Sequence, residues 1–480
     1  MTRGRLLILA SAFATTAFAQ PYGNEWINPT RPYWKFKIAR EGLYRIDSMA
    51  LANAGFPVTS VDPRSIQLFV RTEQVPIYIQ GEADSVFNAG DFIEFRGLKN
   101  DGWLDAQLWN DPSRQSNPFH SLFNDTIFYF LTYDAAPEKL RVVPYLNTDV
   151  TPYPQQTWAW SHAVFQWPDN YYRGDRDPLD ATNSLMVEGE GFFHYYTITA
   201  ESQDEDHNLV VDTPVPYQEP GAPDATFQVV TASANNPEDG QCDNHHLRIF
   251  YGPNLVQVAD TVFRGYQLNR FEFPYANAAI GQGNSTVKLR VVRDLGNGCV
   301  GTDYVDRQMA SHIHYKYPRY TNLLSLPKST VFVPRSSPQD SIKYVRFTGT
   351  TDPVIYAYGD TVRRVAVTLD GNGYKSLIPL LPGAEKTEVF INQEANITPV
   401  TALMPVTASG YFTDLLAAQE DSAMLIIAHS SLRAEADNYA FYRETNLHNR
   451  YNAVVVDVDE LYDQFGGGIP KHPLSIRRFA

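Results

Sequence analysis

The sequence predicts a mainly β, multidomain protein with β-sandwich domains, followed by the first βαβ unit of an α/β domain. Two observations predict this fold class. From residue 20 to about residue 419, short alternating runs of apolar and polar residues are broken by Gly, Pro, Asn and Asp, as in strands joined by turns. Residues 421–480 instead hold two continuous apolar runs on either side of a helical period, as in two parallel strands joined by a helix.

Length and composition are those of a globular protein with several domains. The chain has 480 residues, 43% of them hydrophobic and 13% aromatic, enough for roughly three domains. Lys and Arg number 39 against 54 Asp and Glu, which gives a net charge of -15, and no basic cluster interrupts that balance. We therefore expect neither nucleic acid nor anionic lipid as a partner.

The first 19 residues predict a signal peptide. Arg3 and Arg5 form a basic start, residues 6–18 are apolar, and Ala17-Phe18-Ala19 fits the small-x-small rule for cleavage before Gln20. A membrane anchor is the weaker interpretation because this run is short for a bilayer, and no later run of about 18 apolar residues predicts a transmembrane helix. We expect an exported chain at the cell surface, associated with the outer membrane or extracellular, whose net charge falls from -15 to -17 once the two arginines are removed.

Three β-rich blocks follow the predicted signal peptide. We expect an N-terminal β-rich domain at 20–150, a β-sandwich domain at 157–321 and a small β domain at 325–419, with a Pro-containing linker candidate at 148–156. The alternating runs that predict strands lie at 34–38, 42–46, 65–70, 75–79, 92–95 and 126–133 in the first block, at 193–199, 226–231, 247–251, 270–273 and 287–291 in the second, and at 330–333, 342–347, 362–368 and 387–391 in the third.

Two cysteines, Cys242 and Cys299, are candidates for a disulfide bond. In an exported chain they meet an oxidising environment, so two buried free thiols are the less favoured alternative. Cys242 precedes the predicted strand at 247 and Cys299 follows the predicted strand at 287. If the cysteines pair, these strands run antiparallel or face each other across the sandwich.

Two candidate metal sites have plainer structural explanations. Asp370 and Asn372 have the spacing that opens a calcium-binding loop, but the glycine placement and the missing terminal Glu favour a hairpin turn. His312 and His314 would share one face of a strand, yet no Cys or carboxylate obviously converges on them. We therefore predict no metal or cofactor site.

Two other motifs of the β blocks also favour structural explanations. His245-His246 predicts a loop that enters a strand, with the two rings on opposite faces if the backbone is extended. Gly281-Gln282-Gly283 precedes a predicted strand rather than a helix, so we expect a turn and not a phosphate-binding loop.

The C-terminal segment, residues 421–480, predicts one right-handed βαβ unit and the start of more. Ala423–Ala428 and Ala453–Val458 are apolar runs typical of strands buried on both faces. Between them, Ala434–His448 predicts a helix with an apolar stripe of Ala436, Tyr439, Ala440 and Leu447. Two strands with so few helices cannot bury a core alone, so we expect this segment to be an incomplete α/β domain.

Polar residues around the second strand are open to two interpretations. Asp457, Asp459, Glu460 and Asp463 could be a catalytic group at the end of a strand, but a capping box from Asp457 to Glu460 is favoured. Ser430 or Ser431 after His429 likewise predicts a helix cap more than a nucleophile. Gly466 predicts a left-handed helix exit, and Pro473 predicts the start of the next helix.

Four runs in this segment form a specific pattern: Leu425–His429, Val454–Phe465, Gly468–Pro470 and Ser475–Phe479. They closely resemble the start of the gingipain-type cysteine peptidase domain. Three earlier runs, at 34–46, 62–66 and 317–319, more diffusely resemble the β-rich front half of those members that serve as the type IX secretion sortase.

The resemblance implies a caspase-like α/β sheet that carries a Cys nucleophile and a His partner for acyl transfer. In the sortase branch, it implies removal of C-terminal sorting signals from secreted cargo, attachment of that cargo to surface lipopolysaccharide, and contact with other secretion-system components. The family's His-Gly and Cys motifs have no match before Ala480. We therefore assign no catalytic residue, and we expect no peptidase activity from this chain as it stands.

Two hypotheses of different classes remain. The first is the N-terminal part of an exported gingipain-like peptidase, which the unfinished sheet favours. The second is a non-enzymatic exported β-domain protein that binds a surface partner or a glycan, since aromatic side chains serve both sandwich cores and sugar platforms.

Overall fold

The computed structural model describes residues 22–135, 139–174, 185–236, 242–296, 301, 303–415, 423–446 and 450–480. The predicted signal peptide and Cys299 lie outside these residues. Within them the protein is mainly β, with several sheets followed by a βαβ unit, so the predicted fold class is confirmed. No helix among the described residues combines the length and the apolar character needed to cross a bilayer.

The N-terminal β region, residues 22–135, contains two small sheets that enclose one core. Its elements are β1 (Trp34–Ile38), β2 (Gly42–Asp47), α1 (Ser48–Asn53), β3 (Ile66–Val70), β4 (Glu73–Val75), β5 (Tyr78–Gln80), β6 (Phe92–Gly97) and β7 (Ile127–Tyr133). The alternation in β1 places Trp34, Phe36 and Ile38 in the core, with Lys35 and Lys37 on the other face. The predicted alternation therefore gives the correct buried face.

The second block is a β-sandwich, as its turn spacing predicts. Two short strands, β8 (Val143–Tyr145) and β9 (Gln155–Gln156), precede it. Its own strands are β10 (Trp158–Gln166), β11 (Asn170–Arg173), β12 (Glu190–Phe193), β13 (Ile198–Ala200), β14 (Glu205–Thr213), β15 (Ala225–Ser233), β16 (His245–Tyr251), β17 (Val256–Phe263), β18 (Leu268–Tyr275), β19 (Gly283–Val291) and β20 (Asp306–Tyr320). The sheet β14-β19-β16-β17 packs through residues such as Leu289 and Ile249 against Phe227 and Ile313 of β15 and β20.

The third block continues the same large sheet. It contains β21 (Lys328–Pro334), β22 (Ile342–Thr348), β23 (Pro353–Tyr358), β24 (Val362–Val365), β25 (Val367–Asp370), β26 (Gly373–Pro379), β27 (Lys386–Gln393), β28 (Thr398–Pro399) and β29 (Met404–Pro405). The sheet order β18-β15-β20-β10-β21-β27-β23-β24-β8 joins the second block to the third through one bridge, Trp160 to Phe332. The domain boundaries given by the sequence remain predictions.

The chain returns to the N-terminal β region after the third block. Strand β28 pairs with β2, and β29 pairs with β1, so each of the two small sheets gains an edge strand from residues 398–405. Backbone hydrogen bonds from Val400 N to Arg45 O at 2.7 Å and from Tyr33 N to Gly410 O at 2.8 Å extend this contact. The N-terminal β region is therefore completed by residues far along the chain.

The C-terminal segment contains a two-stranded parallel sheet and three helices. They are β30 (Ala423–Ala428), α2 (Arg433–Thr445), β31 (Asn452–Asp457), α3 (Val458–Gln464) and α4 (Pro473–Phe479). The expected burial of both strands is wrong for these residues: Leu425 is 39% exposed, because few helices pack on the pair. In α2 the stripe buries Ala436 and Ala440 but leaves Tyr439 exposed, and Leu447 lies outside the described residues.

Cys242 is disulfide-bonded. The strands that flank the two cysteines in sequence, β16 and β19, are antiparallel neighbours in one sheet. The pairing of Cys242 with Cys299 remains a prediction, because Cys299 lies outside the described residues.

We expect no free thiol in the intact protein. A thiol-reactive reagent added to denatured, unreduced protein should label neither cysteine, whereas prior reduction should expose both. A bond across the 57-residue separation of positions 242 and 299 would contribute on the order of 4 kcal/mol by the chain-entropy model. Labelling of two thiols without reduction would contradict the pairing.

A buried carboxylate joins the N-terminal β region to the third block. Glu94 of β6 is fully buried and accepts hydrogen bonds from Arg45 Nε at 2.7 Å, from Tyr356 Oη at 2.6 Å and from Arg364 Nε at 3.1 Å. Tyr356 and Arg364 belong to the third block, on β23 and β24. A buried carboxylate is stable only when such partners replace its water.

We expect Glu94→Gln to lower the free energy of unfolding by about 3 kcal/mol, because the buried donors lose their charged acceptor. Glu394→Gln is the matched control: Glu394 pairs with the same Arg45, but it is 44% exposed, and such surface pairs contribute only about 0–1 kcal/mol. Chemical denaturation followed by fluorescence measures both changes. Equal losses in the two variants would contradict the role of burial.

Candidate functional site

The carboxyl ends of β30 and β31 lie side by side, with Ala428 paired to Asp457. This edge of a parallel sheet is where α/β proteins carry functional residues. The polar residues that the sequence singles out, His429, Ser431 and Asp459 among them, follow directly after these strand ends. The candidate site therefore lies in the C-terminal segment.

His429 is a cap in the structure. Its Nδ1 accepts a hydrogen bond from Ser431 N at 3.2 Å and lies 2.9 Å from Ser431 Oγ, at the start of a 3-10 turn over Ser430–Leu432. The expectation that Ser430 or Ser431 caps the helix is wrong, because this turn intervenes before α2 and its N-cap Leu432 makes no side-chain bond. His429 Nε2 is 3.7 Å from Asp459 Oδ2, with both groups more than half exposed, so water screens the pair.

The acidic residues of α3 have separate structural partners. Asp457 caps the helix by accepting from Asp459 N at 2.9 Å, as predicted. The reciprocal bond of a capping box is absent among these described residues, since Glu460 instead accepts from Thr413 N at 2.6 Å and Thr413 Oγ1 at 3.1 Å. The fourth acid, Asp463, points into the N-terminal β region. The four carboxylates do not converge on one point.

Asp463 is buried against Lys35 of β1. The Lys35 ammonium donates to Asp463 Oδ2, and the two side chains are 12% and 2% exposed. Burial raises the pKa of Asp463 to about 7, while the charge and hydrogen bond of Lys35 oppose that rise. Lys35 and Lys37 also lie over the ring of Phe128, at 4.7 and 5.5 Å from its centroid.

The turn between α3 and α4 fits tightly against β7. Gly467 and Gly468 have φ of +59° and +82°, so the predicted left-handed exit at Gly466 is wrong by one residue. Helix α3 ends at Gln464 and its C-cap Phe465 stays right-handed, which delays the reversal. The carbonyl of Gly468 accepts from Phe128 N at 2.8 Å, and Asn124 Nδ2 donates to Pro470 O at 2.8 Å.

His472 and Asp105 form a second buried pair across the interface between the C-terminal segment and the N-terminal β region. Both side chains are inaccessible to solvent. His472 caps α4 by accepting from Leu474 N at 3.3 Å through Nδ1. Its Nε2 therefore carries the proton and donates to Asp105 Oδ1 at 2.9 Å. Pro473 is the first residue of α4, as predicted.

The histidine pairs of the β blocks have different environments. His312 and His314 lie on β20, where Phe119 packs on both rings and His314 also faces His162. Among the described residues, no group of three or more His, Cys, Asp or Glu side chains is arranged to hold a metal ion.

His245 and His246 open strand β16 rather than lying in the loop before it. His245 contacts Asp306 at 2.6 Å inside the sandwich, and His246 lies between Asp260 and Asp294 at 2.6 and 2.7 Å on the other face. The rings thus point to opposite faces, as expected for extended backbone.

The two turn motifs also have structural roles. Asp370 and Asn372 form a hairpin turn between β25 and β26, and both bind Arg346, at 2.9 Å each. The turn at Gly281-Gln282-Gly283 leads directly into β19, as predicted. Both motifs are therefore explained as turns of the fold.

Three residues of this interface were missed by sequence reasoning: Lys35, Asp105 and His472. Lys35 is one of two basic residues that alternate along β1, and its partner is 428 positions away. His472 directly before Pro473 had a usable signal, because the residue before a Pro at the first helical position is the N-cap. No local pattern distinguishes Asp105 from other loop acids.

Comparison with known proteins assigns the C-terminal segment. Residues 417–480 match the model of "Peptidase family C25". This part of the chain is therefore similar to that peptidase family, and we call its described residues 423–480 the peptidase segment. It contains β30 to α4 and therefore the whole surface that packs on Lys35 and Asp105.

The chain as a whole shares its fold with a solved structure. The crystal structure of dimeric latent PorU from Porphyromonas gingivalis superimposes with a TM-score of 0.56 at 12% identity. The match covers 93% of this chain and 39% of the PorU chain, so this chain spans about two fifths of that protein's length. A comparison with curated proteins found no match.

Other solved structures overlap only locally. A CBM36-1 domain of a multidomain xylanase from the hindgut metagenome of Trinervitermes trinervoides matches at 13% identity over 32% of this chain and 96% of its own, with a TM-score of 0.19. A carbohydrate-binding module CBM36 in complex with calcium and xylotriose matches at 13% identity over 25% and 77%, with a TM-score of 0.16. Such scores do not indicate a shared overall fold.

We expect the contribution of Asp463 to stability to fall as pH rises. Its pKa in the folded protein, about 7, lies above its ordinary value of 3.8, so the folded state binds the proton more tightly than the unfolded state. The stabilisation is fully present below about pH 4 and is lost as pH rises toward about 7.

Urea denaturation at pH 5 and pH 8 measures this contribution as the difference between the native sequence and Asp463→Asn, which cancels the other titrating groups. Asp459→Asn, an exposed change on the same helix, is the control and should show no such trend. A difference that grows with pH would show that attraction to Lys35 outweighs burial.

Proposed function

We propose that this chain is the N-terminal part of an exported gingipain-like cysteine peptidase that acts as a type IX secretion sortase. The observation that carries the proposal is the match of residues 417–480 to peptidase family C25 within a chain that has the fold of PorU. The whole protein would remove C-terminal sorting signals from secreted cargo proteins. Its partners would be that cargo and other components of the secretion system, at the cell surface.

The chemistry of such an enzyme requires a Cys whose thiol proton passes to a His. The resulting thiolate attacks the peptide carbonyl and forms an acyl-enzyme intermediate. Cys242 is unsuited to that role because its sulfur is in a disulfide bond. His429 uses Nδ1 to cap a turn and directly follows the first strand of the sheet. We therefore propose that the catalytic pair of the whole protein includes neither Cys242 nor His429.

The coding sequence beyond codon 480 is the direct test of the proposal. An open reading frame that reaches the His-Gly and Cys motifs of the family would support a peptidase. A stop codon at position 481 would contradict it and would favour the alternative, a non-enzymatic β-domain protein that binds a surface partner or a glycan.

We predict that the 480-residue chain does not hydrolyse peptides. Purified protein should cleave fluorogenic peptides ending in Arg or Lys no faster than a buffer blank, because Cys242 is in a disulfide bond and His429 caps a turn. The control is the product of any longer reading frame, assayed at equal concentration. Hydrolysis by the 480-residue chain that survives purification and the double change Cys242→Ser/Cys299→Ser would contradict the prediction.

A further inference from the structure

Helix α4 and the turn before it share a core with the N-terminal β region, whereas Leu461 of α3 packs with Val456 and Phe465 of its own segment. Ile469 in the turn is fully buried and Leu474 of α4 is nearly so, and both belong to the cluster that contains Phe36, Ile66 and Leu131. Their burial therefore depends on the N-terminal β region.

Polar contacts across this interface pair donors with acceptors. Besides Lys35 with Asp463 and His472 with Asp105, Phe128 N donates to Gly468 O at 2.8 Å and Arg478 Nη2 donates to Gln107 Oε1 at 2.7 Å. The carboxylate of each buried pair comes from a different side of the interface: Asp463 from α3 and Asp105 from the N-terminal β region. Separation would take Lys35 away from Asp463 and His472 away from Asp105, although Asp105 would keep the hydrogen bond that it accepts from Leu122 N at 2.7 Å.

The backbone of the turn approaches the N-terminal β region too closely for a side chain. A Cβ on Gly468 would stand 2.7 Å from Phe128 O, and a Cβ on Gly467 would stand 3.1 Å from Trp103 Cζ2. On the opposite side, Arg71 and Thr72 form a left-handed hairpin turn with φ of +53° and +67°, and Gly467 rests on it. The two surfaces are thus complementary in shape as well as in charge.

We propose that the N-terminal β region is a permanent base for the peptidase segment. The two parts remain associated when the chain between them is cut, because the contacts above hold α3 and α4 without the covalent link. This inference concerns association only, so it stands or falls separately from the proposed catalytic function.

Cutting the chain between the two parts tests their association directly. A recognition sequence for a site-specific protease is inserted between residues 415 and 423 of the full chain, the protein is cut to completion under native conditions, and size-exclusion chromatography follows. Residues 423–480 should elute with the remainder at low micromolar concentration. Elution of that fragment on its own from the native sequence would overturn the proposal.

Two matched lysines identify the contact that holds the parts together. Lys35→Met should raise the dissociation constant of the severed protein by about 100-fold, because it leaves Asp463 buried without its partner. Lys37→Met removes a charge from the same strand, over the same Phe128 ring, without touching Asp463, so it should leave association unchanged. Equal effects of the two changes would contradict the assignment of the interface.

Hydrogen exchange on the uncut chain gives a readout that does not depend on the insertion. Gly468→Ala should raise exchange of the amides of residues 461–480 at least about tenfold, since the new Cβ meets the Phe128 carbonyl. Gly383→Ala is the control: Gly383 has a similar φ of +74° but open space around a Cβ. Unchanged exchange in residues 461–480 of the Gly468→Ala protein would overturn the proposal.

Discussion

The buried acid–base pairs between the N-terminal β region and helices α3 and α4 are the constraint on which the rest of this structure depends. Lys35 with Asp463 and His472 with Asp105 place charged or strongly polar groups where water is excluded. Such groups are tolerated only when each has its partner in place. The position of the peptidase segment on the N-terminal β region is therefore fixed by chemistry as well as by apolar packing.

The path of the chain reinforces that constraint. Residues 398–405 add an edge strand to each small sheet of the N-terminal β region just before the peptidase segment begins. Glu94, held by Arg45, Tyr356 and Arg364, joins the same region to the third block. The N-terminal β region thus contacts both the block that precedes the peptidase segment and the segment itself.

Local sequence rules predicted the elements well where each element satisfies itself. Strand β30 occupies the predicted residues 423–428, and Pro473 begins α4. The same rules failed where a residue distant in sequence competes for the same hydrogen bond or packing surface. Glu460 has the spacing of a capping box, yet its carboxylate binds Thr413. Strand β30 has the composition of a central strand, but its exposure depends on how many helices cover it. The helix exit moved from Gly466 to Gly467 and Gly468, whose shape fits β7.

The candidate site was less predictable than the fold, because its chemistry comes from pairs distant in sequence. Alternation along β1 places Lys35 on the face opposite the core, where a side chain is ordinarily exposed to solvent. Only the packing of α3 against this face buries Lys35. The same holds for Asp105, in a loop 367 positions before His472. A single sequence reports the period of an element and the residues that end it. It does not report which charged side chain will lose its water, and in this protein that loss positions the peptidase segment.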